Sequence, residues 1–263
     1  MVMSALDYEK LVMELQRAER ERREIVRLTA QYPNMTVEEA YAIQERLVAM
    51  KRENGYRIIG PKMGLTSAAK MAQMGVNEPI YGYVFDYMVV PNGGTVAMNE
   101  LIHPKVEAEI AFILKEDVQG PNIDATDILA ATEYIIPALE IIDSRYANFE
   151  FALPDVIADN ASSSRVVFGS RLVPPVSLEL DLLGVSLSIN GEAKAFGAGA
   201  AVLGHPANAI AMLANMLSRK GKGLKAGEII LAGAMTEAVR FVAGDVVFAQ
   251  FDQLGTVSFR STD

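Results

Sequence analysis

The segment Lys105-Val-Glu-Ala-Glu-Ile-Ala-Phe-Ile-Leu114 constrains this chain more than any other. Read as a strand, its two-residue side-chain period puts Glu107 and Glu109 on one face with Ala111 and Ile113. Two carboxylates thus share a face that is otherwise apolar. Neighbouring like charges repel, and burying them is costly unless a cation lies between them, so a divalent metal site accounts for the pair. A half-exposed strand with a polar outer side also accounts for the two glutamates, though not for Ile113, and on these residues alone both readings stand.

The 263 residues, 51% of them hydrophobic, suffice for one large domain or a small domain on a larger one. A net charge of -9 argues against nucleic acid or an anionic membrane as the main partner. Acidic small molecules stay compatible where cations focus the field locally. With no cysteine, disulfides, thiolate nucleophiles and sulfur-ligated metals are excluded, and any metal must be held by oxygen or by the two histidines. No cleaved-leader pattern is evident and no apolar segment reads as a membrane span, so the expectation is a soluble cytoplasmic protein.

Leu11, Val12, Leu15, Ile25 and Val26 among charges predict helix within residues 5–30, and Thr36 with Glu39 makes a capping box that opens a second helix to about residue 52. From Tyr56 onward, short β-rich runs at 58–63, 83–90, 106–114 and 134–143 alternate with Gly and Pro. Asn190-Gly191 marks a two-residue hairpin, because both turn positions need positive φ. One helix from about Pro206 to Arg219 precedes strands at 228–231, 245–251 and 256–260. The expected class is α+β with mixed or antiparallel sheets, divided into a mostly helical N-terminal subdomain over 1–75 and a β-rich body over 76–263.

Glu140 lies in the apolar run 135–142, where a free carboxylate has little structural reason to sit, and is a candidate third ligand. Three carboxylates suit Mg²⁺ or Mn²⁺, which take hard oxygen donors and leave positions open for a substrate. Asp143 falls on the other strand face and is expected, with Arg145, to form a structural salt bridge or a contact behind the metal ligands. Lys62, ahead of Met63-Gly64, can bind an anion or enolate or else snorkel to solvent from a strand end. His103 and His205 each precede proline and read as turn residues. Residues 159–164, Asp-Asn-Ala-Ser-Ser-Ser, form a polar loop that can contact a carboxylate or simply turn at the surface; Ser162 has no evident His partner. Gly197-Ala-Gly199 lacks the third glycine and the β-α-β setting of a dinucleotide loop.

Five segments taken together resemble the 4-oxalocrotonate decarboxylase and 2-hydroxypentadienoate hydratase group of the fumarylacetoacetate hydrolase-like superfamily. They are 62–67 (Lys-Met-Gly-Leu-Thr-Ser), 74–82 (Met-Gly-Val-Asn-Glu-Pro-Ile-Tyr-Gly), 103–109 (His-Pro-Lys-Val-Glu-Ala-Glu), 139–145 (Leu-Glu-Ile-Ile-Asp-Ser-Arg) and 158–163 (Ala-Asp-Asn-Ala-Ser-Ser). The resemblance implies a helical N-terminal subdomain on a mixed β-sheet roll, with Mg²⁺ at Glu107, Glu109 and Glu140. It also implies Lys62 as the active-site lysine and Ser162 and Thr236 as substrate contacts.

Within that group, hydratases carry an aspartate in a Pro-Asp-Phe-Gly segment, whereas this chain has Pro79-Ile80-Tyr81-Gly82. Isoleucine cannot move protons and keeps water away, which favours the decarboxylase branch, acting on 2-oxohex-3-enedioate in meta-cleavage degradation of aromatic compounds. The alternatives are the hydratase activity itself or a non-catalytic partner subunit of that hydratase. Family decarboxylases associate with the hydratase, so a complex with it is expected; a homo-oligomer is left open.

Overall fold

Helices dominate the first quarter of the chain, and the clearest local signal among them is a capping box at Thr36. The computed structural model, which describes residues 5–263, contains helices α1 (Ala5–Glu21), α2 (Leu28–Gln31), α3 (Val37–Glu53), α4 (Ala68–Met74), α5 (Ala125–Ala131), α6 (Leu153–Ala158) and α7 (Pro206–Ser218). The predicted capping box opens α3: Thr36 Oγ1 accepts from Glu39 N at 3.1 Å, and Glu39 Oε2 accepts from Thr36 N at 2.9 Å. The predicted helix over 5–30 is interrupted. It stops at Glu21, Arg22 turns at φ 53°, and Ile25 forms a bridge with Tyr146, because a segment of the body captures its backbone groups.

The strands are β1 (Ile58–Gly64), β2 (Ile80–Phe85), β3 (Val89–Val90), β4 (Thr95–Ala97), β5 (Lys105–Leu114), β6 (Thr132–Ile142), β7 (Ser163–Phe168), β8 (Gly184–Ile189) and β9 (Glu192–Ala198). They continue with β10 (Ile229–Leu231), β11 (Val239–Arg240), β12 (Val246–Phe251) and β13 (Gly255–Thr262). One eight-stranded sheet runs β2-β1-β10-β5-β6-β7-β3 with β11 also on β5, and a five-stranded sheet runs β4-β13-β12-β8-β9. Parallel pairs β1–β10, β3–β7 and β13–β4 among otherwise antiparallel neighbours make both sheets mixed, the α+β class expected from sequence. The expected run over 83–90 is split by a turn at Asp86–Met88, and the Asn190-Gly191 hairpin has both residues at positive φ, 53° and 80°.

One apolar core extends from Leu11, Leu15 and Ile43 in the N-terminal helices through Ile110, Leu139 and Phe259. Strand β1, although within residues 1–75, is an inner strand of the larger sheet. The stretch Gly199–Ser218 is long and apolar enough to cross a membrane, contrary to the reading from sequence, but Ile210, Leu213 and Leu217 of α7 belong to this core. Nearly all of β5 and β6 is buried on both faces, as expected for strands at the centre of a sheet covered on both sides. That burial decides between the two readings of Glu107 and Glu109, which are 6% and 1% exposed: their face is interior.

Gly60 lets β1 approach β10, since a Cβ there would lie 2.2 Å from Ile229 O. Gly60→Ala should therefore push β1 off β10 and destabilise the protein by roughly 1–3 kcal/mol, the usual cost of overpacking. Chemical denaturation measures it, and an unchanged midpoint would mean that the two strands have slack.

Candidate metal centre and active-site cavity

Register, which sequence periodicity leaves undefined, assembles the site. Strands β5 and β6 pair so that Glu107 lies directly opposite Glu140, with Glu109 two positions along on the same face. Carboxylate oxygens of all three lie within 4.8 Å of one another. Strand β10 stops at Leu231, which pairs with Lys62 on one side and Ala111 on the other. The chain then turns at Gly233, φ 108°, where a Cβ would collide with Thr66 Oγ1 at 2.2 Å. The Gly233 N–H donates to Glu109 Oε2 at 2.9 Å.

From β1, the 2% exposed Lys62 reaches across to this cluster. Its Nζ lies 2.9 Å from Glu140 Oε1 and donates to Ala161 O at 3.0 Å. The lysine is therefore fixed at two points and does not snorkel.

Burial pushes the Glu109 carboxyl well above the usual carboxylate range; Glu140 and Glu107 push it further, while Lys62 and the Gly233 N–H oppose them. Glu140 is also raised, chiefly by burial and secondarily by Glu107, with Lys62 pulling the other way. Among the described residues, Glu109 Oε1 and Glu140 Oε2 are buried and accept no hydrogen bond. Orphaned acceptors of this kind are costly in a protein interior. Three clustered carboxylates, with unsatisfied oxygens on Glu109 and Glu140, fit a hard divalent cation such as Mg²⁺ or Mn²⁺.

Beside the cluster is a cavity of about 580 Å³ whose wall includes Lys62, Ile80, Glu107 and Ser162. Ile80 is 3% exposed and packs close to Gly64. Ser162 is delivered by a strained turn, Asn160, Ala161 and Ser162 having φ of 50°, 51° and 56°. Non-glycine residues enter that region at a cost of order 1–3 kcal/mol each, so surrounding contacts must hold them there. Asn160 Oδ1 accepts from Tyr83 N and its Nδ2 donates to Tyr83 O, both at 2.9 Å, while Ser162 O accepts from Asp143 N at 2.9 Å. The Ser162 hydroxyl itself is buried with no hydrogen-bond partner among the described residues. The polar run 159–164 is thus an interior turn and not a surface one.

Behind the turn, Arg145 donates through Nε to Asp159 Oδ1 and through its guanidinium to Asp143 O at 2.7 Å. Burial lowers the Arg145 proton affinity, but the charges of Asp159, Glu19 and Asp143 and the hydrogen bond to Asp159 together outweigh it; burial lifts Asp159 to about 6 despite Arg145. The expected side-chain pair of Arg145 with Asp143 is corrected here. The Asp143 carboxylate, one residue beyond the end of β6, instead accepts from Ile102 N and His103 N, both at 2.8 Å. His205 caps α7, Nδ1 accepting from Ala207 N at 3.1 Å, and His103 Nδ1 lies 2.8 Å from Glu24 Oε1.

Thr236 is absent from the cavity wall; its Oγ1 accepts from Ala108 N at 3.1 Å, between the two strand glutamates. The wall also contains Arg27, Lys105, Phe149 and Phe151, which sequence reasoning passed over. Lys105 carried a readable signal, being two residues before Glu107 on the same strand face. Arg27 and Phe149 had none, since they arrive from distant loops.

Residues 59–260 match the fumarylacetoacetate (FAA) hydrolase C-terminal family. The chain is 48% identical over 250 residues to a 4-oxalocrotonate decarboxylase of Pseudomonas putida, covering 95% of each. It is 40% identical over 251 residues to a 2-hydroxyhexa-2,4-dienoate hydratase of Comamonas testosteroni, again covering 95% of each. The crystal structure of 4-oxalocrotonate decarboxylase from Pseudomonas putida G7, complexed with magnesium and adipate, superposes with a TM-score of 0.97 at 44% identity and 99% coverage of both chains. The chain belongs to the fumarylacetoacetate hydrolase family.

A divalent ion needs Glu109 and Glu140 ionised, whereas burial favours their protonated forms. Binding of Mg²⁺ should therefore release protons, and affinity should rise with pH until both carboxyls are ionised in the free protein. Calorimetric titration in buffers of different ionisation heat measures this, and binding without proton release at any acidic pH would contradict it.

Proposed function

We propose that the protein is a metal-dependent carbon–carbon lyase that decarboxylates 2-oxohex-3-enedioate (4-oxalocrotonate) to 2-hydroxypenta-2,4-dienoate and CO₂. The observation that carries the choice of reaction is Ile80, an apolar side chain on the cavity wall that also contains Lys62. The likeness to 4-oxalocrotonate decarboxylases supports it, as does the magnesium and adipate, a six-carbon dicarboxylate, in the related structure.

Glu107, Glu109 and Glu140 would hold Mg²⁺ or Mn²⁺. When bound, the ion supplies Lewis-acid stabilisation for charge arriving on the substrate's 2-oxo oxygen. Loss of the distal carboxylate as CO₂ leaves an electron pair that delocalises through the conjugated chain to that oxygen. Lys62, held between Glu140 and Ala161 O, presents a fixed positive charge to the developing dienolate. The Ser162 hydroxyl, with no partner among the described residues, is available to donate to the substrate's proximal carboxylate. Ile80 excludes water and offers no proton-transfer group, so the dienolate is released without hydration. Thr236 acts through β5, pinning Ala108 between the two strand ligands.

The reading extends to a mostly helical subdomain over 1–75 against a catalytic body over 76–263, and to a cytoplasmic place in meta-cleavage degradation of aromatic compounds. It includes association with the hydratase that consumes the product. Hydratase relatives at 40% identity make hydration the second reading, and the side chain at position 80 separates the two.

Purified protein with Mg²⁺ and 2-oxohex-3-enedioate should release CO₂, and 2-hydroxypenta-2,4-dienoate offered separately should not be hydrated. Hydration without CO₂ release would reverse the assignment. Glu107→Gln and Glu109→Gln should lose metal affinity and turnover together. Lys62→Met should lower kcat by about 10²–10³-fold, the scale of losing one preorganised donor, while still binding metal; full turnover in that variant would reduce Lys62 to a structural role.

A further inference from the structure

Two cationic side chains on the cavity wall take no part in the mechanism above. Lys105 lies two residues before Glu107 on the same face of β5, so it points to the same side of the sheet as the metal-ligand candidates. It forms no ion pair with any described carboxylate, its Nζ instead resting 4.3 Å from the centroid of the Phe149 ring. Arg27, exposed at the N-terminus of α2, also lines the cavity and likewise has no carboxylate partner among the described residues. Lys62, by contrast, is occupied by Glu140. Glu150 is the one carboxylate that lines the cavity apart from Glu107, and neither cation is paired with it.

The ring under Lys105 is held in an unusual place. Phe149 follows Asn148, and both lie in the left-handed region, at φ 61° and 57°. Strain of this kind persists where surrounding contacts impose it and concentrates at ligand sites. Here Asn148 N donates to Glu24 Oε1 at 3.1 Å, and Phe149 packs 5.8 Å from Phe151 and 5.2 Å from His103 between ring centroids. An aromatic face attracts a cation without giving it a hydrogen-bonded counter-ion, and this weak attraction is readily exchanged for a carboxylate.

We propose that Lys105, with Arg27 across the cavity, receives the distal carboxylate of the substrate and makes the site selective for dicarboxylates over monocarboxylates. The proposal rests on the decarboxylase reading and deepens it. The spacing agrees: same-face neighbours on a strand are roughly 6–7 Å apart, and the terminal carbons of an extended six-carbon chain, five C–C bonds apart, are separated by roughly 6 Å. A diacid whose proximal end sits at Glu107 therefore brings its distal end toward Lys105. This attraction is made with the carboxylate and is lost with CO₂, so it tightens substrate binding and does not lower the barrier.

The test uses two probes with the same 2-oxo acid head, 2-oxohexanedioate and 2-oxohexanoate, as competitive ligands of the Mg²⁺-loaded full chain. The wild type should bind the diacid at least about tenfold more tightly, the scale of one charged hydrogen bond. Lys105→Met should lose most of that preference while keeping its affinity for 2-oxohexanoate, Lys105→Arg should keep the preference, and Arg27→Met should lose part of it. With 2-oxohex-3-enedioate, Lys105→Met should raise KM and leave kcat unchanged or higher. An unchanged preference, or an equal loss for both ligands, overturns the assignment. Failure of the wild type to bind 2-oxohexanoate would instead defeat the underlying 2-oxo acid reading, whereas binding of both probes without preference defeats only the role of Lys105.

Discussion

The rest of the site depends on an imbalance of charge among buried side chains. Glu107, Glu109 and Glu140 face one another in the interior, and the ammonium of Lys62 lies against Glu140. Carboxylates this close repel one another when ionised. In a low-dielectric interior that imbalance would be resolved by protonation or by a metal, and burial drives Glu109 and Glu140 toward the first until the second is supplied. The fold therefore holds an arrangement that costs stability on its own, a common property of sites built for ligands.

Keeping that arrangement requires rigidity on every side. The three glutamates lie on the two central strands of the larger sheet, buried on both faces, so their spacing is set by hydrogen-bonded register and not by a loop. Lys62 is positioned by a third strand and by the carbonyl of Ala161, and the strained turn bearing that carbonyl is locked by Asn160, by Asp143 N and by the Arg145–Asp159 pair behind it. Arg145 and Asp159 lie outside the cavity, yet the turn that bears Ser162 leans on them. A buried pair of this kind is weak evidence for net stability and better evidence for specificity of conformation, here the conformation of residues 160–162.

Much of the secondary structure was legible because it rests on local physics. The capping box at Thr36, the Asn190-Gly191 hairpin and the long runs of β5 and β6 each depend on residues within a few positions of one another. The failures share a cause. Arg22 ends α1 and Ile25 joins Tyr146 because a segment more than a hundred residues away supplies hydrogen-bond partners that outweigh helical propensity. The composition of the Asp159–Ser164 run left a carboxylate-contacting loop and a surface turn equally open, and only its contacts with Lys62, Tyr83 and Arg145 make it an interior turn.

By itself the sequence determined the chemistry available: oxygen ligands and no sulfur, two glutamates on one strand face, and a lysine two residues before a glycine. These follow from residue identity and from a period of two, which need no knowledge of the rest of the chain. The tertiary structure alone decided that the glutamate face is interior, that Glu140 stands opposite Glu107, that Thr236 backs the ligand strand, and that Lys105, Arg27 and Phe149 share a cavity with them. Pairing register, burial and the meeting of distant loops are set by the packing of the whole chain, whose long-range contacts no local pattern of side chains encodes.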